Sequence, residues 1–199
     1  MTRGFLGGTF DPPHVGHMVL AQEALEFMRL DHVCFVPVRN PPHKDDGVIS
    51  SFSHRIEMLS LSITGDPRFS ILDAEPEQGP SYTVNLVRRL SGLFGAKPCL
   101  VMGLDSLLEM ETWKDPLAIL EEACVVVGTR PQFSTERIDP AYLGSVRMFN
   151  FPGVWLSSSM IRERVSGGRS IRYLVSDGVR TYIREKGLYG SGKGDRPNP

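Results

Sequence analysis

The chain has 199 residues, of which 41% are hydrophobic and 23% are charged, and its formal net charge at pH 7 is -1. This length and composition suit one globular domain with a single sizeable core. A charge balance so close to neutral gives no general attraction to nucleic acid or to an acidic membrane, so any anion site must be local. The three cysteines lie inside apolar runs without a CxxC pair, which favours buried small side chains over a zinc site or a disulfide framework.

No apolar run approaches the roughly 18 residues of a membrane-spanning helix, and the N-terminus carries no apolar signal region. The sequence therefore predicts a cytoplasmic protein whose partners include neither nucleic acid nor a membrane. It leaves the oligomeric state open, a homo-oligomer included.

Short β-rich runs alternate with helix-period segments up to about residue 130, which is the pattern of a parallel sheet with helices on its faces. Continuous apolar stretches are typical of strands covered on both sides. The sequence therefore predicts an α/β fold with a doubly wound, mostly parallel sheet and C-terminal helices. The candidate strands are Arg3 to Leu6, His32 to Val38, Arg68 to Asp73, Pro98 to Met102, Ala123 to Thr129 and Val146 to Phe149.

Apolar residues at helical spacing, such as Leu20, Ala24 and Phe27, predict the helices. Ser53 is the expected N-cap of the second one. Residues 1–189 are expected to form a single domain, and the Gly- and Pro-rich residues 190–199 a disordered tail. The candidate helices are Gly16 to Leu30, Ser53 to Ile63, Tyr82 to Leu93, Ser158 to Val165 and Asp177 to Lys186.

The stretch from Gly7 to His17 carries the strongest chemical signal, because it places two histidines around a glycine where a strand gives way to a helix. The glycines allow a sharp turn and a close approach to a ligand, and a helix start offers N–H groups to an anion. His14 and His17 add donors that can be neutral or cationic near pH 7. Metal ligation by these histidines is disfavoured, because Gly16 separates them and no third soft ligand is near. The stretch predicts a phosphate site.

Gly103 and Asp105 follow the candidate strand that ends at Met102. If that strand neighbours the first one across the point where strand order reverses, this turn and the histidine turn face each other over one crevice. Asp105 there could accept hydrogen bonds from ribose hydroxyls. The alternative is an N-cap for a helix from Ser106 to Met110.

The segment from Ser157 to Arg162 places three hydroxyls and an arginine at a helix start. Serine hydroxyls, N–H groups and the guanidinium would converge there on phosphate oxygens. The alternative, a serine cap on a surface helix, is common, but the histidine turn favours a second phosphate site.

Two further segments have weaker signals. The loop from Asn40 to Lys44 follows a predicted strand and would present His43 and Lys44 stiffly, although taken alone it is better interpreted as a solvated turn. Trp113 lies in a polar setting, where it could stack on a flat ring or pack partly between two helices.

Taken together, these residues resemble the nucleotidyltransferase superfamily that shares the HxGH signature with class I aminoacyl-tRNA synthetases. A synthetase is disfavoured, because the chain lacks a lysine-rich KMSKS-type loop and has no room for tRNA-binding domains. Through about residue 189 the sequence is similar to the bacterial nicotinate-nucleotide adenylyltransferase family. The segments that carry the similarity are Gly7 to His17, Asn40 to Lys44, Gly79 to Thr83, Gly103 to Leu107 with Trp113, Arg130-Pro131, Ser157 to Arg162, Ile171 to Leu174, Tyr182-Ile183 and Gly187 to Tyr189.

The resemblance implies a Rossmann-like nucleotidyltransferase fold and adenylyl transfer from ATP to nicotinate mononucleotide in NAD biosynthesis. ATP and nicotinate mononucleotide are then the partners, and Mg²⁺ is carried with the ATP phosphates. The implied catalytic residues are His14, His17, Lys44 and Arg162. The implied ATP-binding residues are Gly8, Thr9, Phe10, His14, His17, Gly103, Asp105, Ser157, Ser158, Ser159 and Arg162. The implied binding residues for nicotinate mononucleotide are Thr9, His43, Lys44, Tyr82, Thr83, Leu104 and Trp113.

The sequence departs from the family pattern at a few positions. Leu104 stands where the family usually has Ala, and Asn85-Leu86 stands where it has Asp-Thr. Ser159 stands for Thr and keeps the hydroxyl that a phosphate site needs. The bulkier Leu104 lies beside the implied pyridine pocket and is expected to change its shape.

Two other functions remain open from the sequence. A sister transferase would act on nicotinamide mononucleotide, phosphopantetheine or a sugar or polyol phosphate, although the last two offer no pyridine ring for Trp113. A non-catalytic nucleotide-binding module would keep the fold without turnover, yet both histidines and the serine-arginine segment are intact.

Overall fold

The computed structural model describes residues 2–41, 49–75, 78–129 and 138–193. The chain divides into two compact units, each built from three separate stretches. The sheet unit comprises Met1–Gly8, Val19–His43 and Pro67–Gly153. The helical unit comprises Thr9–Met18, Lys44–Asp66 and Val154–Pro199. The expectation of a single domain over residues 1–189 stays a prediction.

Six parallel strands form one sheet in the order β3-β2-β1-β4-β5-β6. They are β1 Arg3–Gly8, β2 His32–Pro37, β3 Phe69–Ile71, β4 Cys99–Gly103, β5 Cys124–Thr129 and β6 Val146–Asn150. The predicted Rossmann-like α/β fold is confirmed, because β1 and β4 are neighbours and strand order reverses between them. The carboxyl ends of both strands, at Gly8 and Gly103, therefore lie at one edge of the sheet.

Eight helices connect or follow these strands in the described part of the chain. They are α1 Val15–Phe27, α2 Phe52–Ile63, α3 Thr83–Phe94, α4 Leu104–Leu108, α5 Pro116–Glu122, α6 Pro140–Leu143, α7 Ser158–Ser166 and α8 Asp177–Glu185. None of the helices in these ranges has the length and hydropathy needed to cross a membrane.

Each unit has its own hydrophobic core. In the sheet unit, β4 and β5 pack against α3, α4 and α5 around fully buried side chains such as Val84, Leu107 and Val127. In the helical unit, α2, α7 and α8 bury Met58, Ile161 and Val179 together. Burial of this apolar area is what stabilises the positions of the strand ends and helix starts that carry the predicted site.

Local departures from the predicted elements have clear causes. Ser53 is not the N-cap of α2: the helix already includes Phe52, and Ser51 caps it by accepting a hydrogen bond from the His54 N–H at 3.3 Å. Asp105 is not an N-cap either, because α4 begins at Leu104 and Asp105 lies inside its first turn. The third strand is shorter than predicted, since it pairs only with three residues of β2.

The predicted burial of the cysteines is confirmed for Cys34 and Cys99, while Cys124 is half-buried, and all three are free thiols. Of the predicted tail, residues 190–193 lie in the segment Leu188–Lys193, where 3₁₀ turns are separated by a kink at Tyr189 and Gly190. Residues 194–199 lie outside the described residues.

Candidate active site

The histidine turn lies in the helical unit, where α1 begins at Val15. The rings of His14 and His17 are stacked, with centroids 3.7 Å apart. Phe10, which is 1% exposed and has a φ of 52°, meets the His17 ring edge-on at 5.0 Å. The two imidazoles are thus held as one pair against a buried aromatic side chain.

Hydrogen bonding determines which nitrogen of His17 carries the proton. The main-chain N–H of His14 donates to His17 Nδ1 at 3.1 Å, so a neutral His17 must carry its proton on Nε2. Burial, and then the charge of nearby His14, lower the pKa of His17 well below its usual value. At pH 7 His17 is therefore a neutral imidazole whose Nε2–H can donate to an anion.

The glycine of the HxGH signature has a steric cause in this structure. A Cβ added to Gly16 would lie 3.0 Å from His14 Nδ1 and 3.1 Å from His14 Cε1. Contacts that short force the ring to move, so only glycine leaves the buried His14 imidazole in place. The spacing of the motif thus follows from the packing of its own first histidine.

The serine-arginine segment begins α7 in the same unit. Ser157 caps the helix by accepting from the Met160 N–H at 3.2 Å, which confirms that it is a cap residue. The Ser158 hydroxyl donates to the Pro12 carbonyl at 2.9 Å. A capped helix start still offers N–H groups and a positive dipole end, so the cap is compatible with anion binding.

Arg162 completes the connection between the two predicted phosphate segments. Its Nη1 donates to the Asp11 carbonyl at 2.8 Å, and its Nη2 donates to the Ser159 hydroxyl at 3.3 Å. The structure therefore brings the start of α7 directly against the turn that carries His14 and His17. We call these two segments together the cradle.

Three residues that were not among the predicted site residues support the cradle. The Asp11 carboxylate, 1% exposed, accepts from the Ser50 N–H at 3.2 Å and from the Tyr189 hydroxyl at 2.5 Å. Arg55, 2% exposed, donates through Nη1 to the Thr9 carbonyl at 2.9 Å. It also donates through Nε to the Ser50 carbonyl at 3.2 Å. Burial and the Asp11 carboxylate raise the pKa of Tyr189, which keeps this hydroxyl a donor.

The remaining predicted residues that the structure describes belong to the sheet unit. Gly8 and Gly103 end β1 and β4, and Asp105 is exposed in the first turn of α4. Leu104 is buried, and Trp113 is half-buried and packs against the core around α4. Stacking of Trp113 on a flat ring stays a prediction.

Tyr82 and Thr83 are half-buried at the start of α3. The Tyr82 ring contacts the Lys114 ammonium, whose Nζ lies 4.8 Å from the ring centroid. Tyr82 and Lys114 line a cavity of about 440 Å³ together with Glu75, Asn85 and Arg89. An aromatic ring and an ammonium group thus meet at Tyr82, one of the residues predicted to bind the acceptor.

Some predictions have no structural outcome. His43, Lys44, Arg130 and Pro131 lie outside the described residues. The expected meeting of the histidine turn with Asp105 stays a prediction, although the neighbouring strands on which it depends are confirmed.

A doubly wound sheet and a cradle formed by the histidine turn and α7 are the features expected of an HxGH nucleotidyltransferase. A model of the cytidylyltransferase-like family matches residues 5–164, most of the chain. Two relatives, both named "Probable nicotinate-nucleotide adenylyltransferase", extend the likeness. One, from Geobacillus thermodenitrificans, is 41% identical over 190 residues, covering 94% of this chain and 86% of its own length. The other, from Symbiobacterium thermophilum, is 37% identical over 201 residues, covering 96% and 97%. The chain therefore belongs to the nicotinate-nucleotide adenylyltransferase family, and it is a nucleotidyltransferase.

Solved structures show the same fold at much lower identity. Nicotinic acid mononucleotide adenylyltransferase from Plasmodium falciparum, complexed with NaAD, superimposes with a TM-score of 0.81 at 19% identity. The same enzyme complexed with APC gives a TM-score of 0.79 at 18% identity. Each alignment covers 95% of this chain and 97% of the other.

Replacing Gly16 with alanine is predicted to damage activity without damaging the fold. The added Cβ requires the His14 ring to shift by a few tenths of an ångström. Since a misplacement of about 1 Å costs about 10²-fold, we expect a smaller but measurable fall in kcat. Alanine favours a helix over glycine, so the urea midpoint should not fall. The matched control is Gly144→Ala, where an added Cβ meets nothing within 4 Å. A Gly16→Ala kcat as high as that of the control would contradict the steric account.

The lowered pKa of His17 predicts how stability depends on pH. Between the folded pKa and the usual value near 6.5, only the unfolded chain binds a proton at this residue. The free energy of unfolding should therefore fall as pH drops through about 6.5 toward 5. In His17→Asn, whose amide oxygen can accept from the His14 N–H, this fall should be shallower. Urea titrations at pH 5.5 and 7.5 measure both slopes, and equal slopes would refute the assignment.

Proposed function

We propose that this chain transfers the adenylyl group of ATP to nicotinate mononucleotide, giving nicotinate adenine dinucleotide and pyrophosphate in NAD biosynthesis. The relatives' names support this acceptor, and the sequence identity extends over nearly the whole chain. The observation that carries the proposal is the cradle, in which the Arg162 and Ser158 hydrogen bonds join the histidine turn to α7.

The proposed reaction needs no protein base. The 5'-phosphate of the mononucleotide, already ionised, attacks the α-phosphorus of ATP in line. A new P–O bond forms to the α-phosphorus, the bond from the α-phosphorus to the α,β-bridging oxygen breaks, and pyrophosphate leaves with the electron pair. Catalysis then rests on positioning and on stabilising charge at the α-phosphoryl oxygens.

Each part of the cradle has a proposed role. The His17 Nε2–H and the His14 imidazole donate to the α-phosphoryl oxygens, as preorganised donors do at other oxyanions. The Ser157 and Ser159 hydroxyls hold the departing β,γ-phosphates together with Arg162. The Ser158 hydroxyl stays on the Pro12 carbonyl, so Ser158 binds through its main-chain N–H. Arg162 Nη2 donates to the Ser159 hydroxyl at 3.3 Å, so the two groups proposed to hold the leaving phosphates lie side by side.

Magnesium fits this scheme as part of the substrate. Among the residues that the structure describes, no three or more His, Cys, Asp or Glu side chains gather as a metal site. A cradle of hydroxyls and a guanidinium suits phosphate oxygens rather than a hard cation. We therefore propose that Mg²⁺ enters on the ATP phosphates and neutralises charge on the leaving pyrophosphate.

The remaining residues are proposed to bind the nucleoside parts and the acceptor. Asp105 accepts from the ATP ribose, with Gly8, Thr9, Phe10 and Gly103 allowing close approach of main chain to the nucleotide. Lys44 neutralises phosphate charge, and His43 and Thr9 contact the mononucleotide. The cytoplasm stays the proposed location, and a homo-oligomer stays open.

Selection of the acid is proposed to depend on main-chain donors. Trp113 stacks on the pyridine ring, while amides around Tyr82, Thr83 and Leu104 receive its carboxylate. Donors aimed at a carboxylate are poorly matched to the amide of nicotinamide mononucleotide, so that analogue should be rejected.

Pyrophosphate release from ATP tests the proposal, with nicotinate mononucleotide and nicotinamide mononucleotide as parallel acceptors. We expect kcat/KM to be about 10²-fold or more greater for the nicotinate compound, because buried donors would lose a charged acceptor. Equal values would contradict the acid pocket. No release with the nicotinate compound would contradict the function, and release with phosphopantetheine or a sugar phosphate would support a sister transferase.

A further inference from the structure

Hydrogen bonds converge on Ser81, immediately before the predicted acceptor residues of the sheet unit. Ser81 is buried, and its N–H donates to the Asn40 carbonyl at 3.0 Å. Its hydroxyl accepts in return from the Asn40 N–H at 3.1 Å. The Asn40 side chain also donates to the Gly79 carbonyl at 3.0 Å. These bonds run in opposite directions and fix the two loops in a single register.

The buried Glu75 carboxylate is a second partner of the Ser81 hydroxyl. Glu75 is 7% exposed; burial raises the pKa of its carboxyl, and a hydrogen bond with the Ser81 side chain acts in the opposite direction. Because the Ser81 oxygen accepts from Asn40, its one proton is directed to Glu75. The segment that carries Glu75 is tied to α3, since Arg89 donates through Nη1 to the Ala74 carbonyl at 2.9 Å. A buried carboxylate with such partners is costly to misplace.

The segment after Ser81 is fixed from its other end as well. The Tyr82 carbonyl accepts from the N–H groups of Asn85 and Leu86 at 3.0 and 3.1 Å, which begins α3. The main chain at Tyr82 and Thr83 therefore lies between the Ser81 hydrogen bonds and the first turn of a helix. Main-chain donors distinguish ligands only if they stay in place when the wrong ligand binds.

We infer that the Glu75–Ser81–Asn40 hydrogen-bond chain positions the main-chain donors at Tyr82 and Thr83, and so sets the preference for an acid over an amide on the acceptor ring. Glu75 and Ser81 are positioning residues that act through the main chain of their neighbours. The inference rests on the proposed function, since it concerns the acceptor pocket of that reaction.

Steady-state kinetics of Ser81→Ala, with ATP and each acceptor varied in turn, tests the inference. We expect the KM for nicotinate mononucleotide to rise about tenfold, because losing the hydroxyl frees the loop. The acid-to-amide ratio of kcat/KM should fall by a similar factor, while the KM for ATP stays unchanged. Ser62→Ala is the control, since it removes a hydrogen-bonded serine hydroxyl outside this chain of bonds, one that donates to the Met58 carbonyl at 2.9 Å.

Variants of Glu75 separate positioning from general stability. Glu75→Gln retains an oxygen that accepts from Ser81 and should keep the wild-type ratio. Glu75→Leu cannot accept and should match Ser81→Ala, and this pair carries the comparison if Ser81→Ala does not fold. An unchanged acid-to-amide ratio in Ser81→Ala and Glu75→Leu, or equal rises in both KM values, would overturn the inference. Failure of the wild-type chain to use nicotinate mononucleotide would instead overturn the proposed function, and the inference with it.

Discussion

The hydrogen bonds from α7 to the carbonyls of Asp11 and Pro12 are the constraint on which the candidate site depends. They place a guanidinium and serine hydroxyls against the turn that bears the histidine pair. The turn can stay in one position because the buried Asp11 carboxylate and the buried Arg55 guanidinium hold its main chain from beneath. Breaking one partner of such a buried charged network leaves another polar group unsatisfied, so the arrangement is rigid.

This rigidity matters because the proposed reaction offers the protein little to do besides positioning. Two stacked imidazoles would repel each other if both were charged, and burial together with His14 keeps His17 neutral. A neutral ring still presents an Nε2–H that can donate to phosphate. A bound polyanion would in addition favour the protonated, positively charged form of the histidine pair. The positive charge on Arg162 lies at the helix start, where the leaving phosphates are proposed to bind. Charge and neutral donors are thus separated along the substrate.

The sheet could be predicted because its strands are continuous apolar runs separated by helix-period segments. That β1 and β4 are the neighbours where strand order reverses was only a condition in the sequence argument, because alternation does not set strand order, and the structure supplies it. The N-cap of α2 could not be predicted, because Ser51 and Ser53 are equivalent as sequence signals. Only the main-chain geometry shows that Ser51 is the cap. The hydrogen bonds that support the cradle could not be predicted from the sequence either. Asp11 and Tyr189 are 178 positions apart, and no local spacing indicates that they form a hydrogen bond.

A double-mutant cycle of kcat with His14→Ala, Arg162→Ala and the double variant tests most directly whether the cradle acts as one unit. Each single change should lower kcat about 10²- to 10³-fold. The account predicts that the double variant loses far less than the product of the two, with a coupling of about 1–3 kcal/mol, because residues that act together are not additive. If the kcat loss of the double variant equals the product of the two single losses, the histidine pair and the serine-arginine segment act independently. That result would contradict the account of the cradle as one unit.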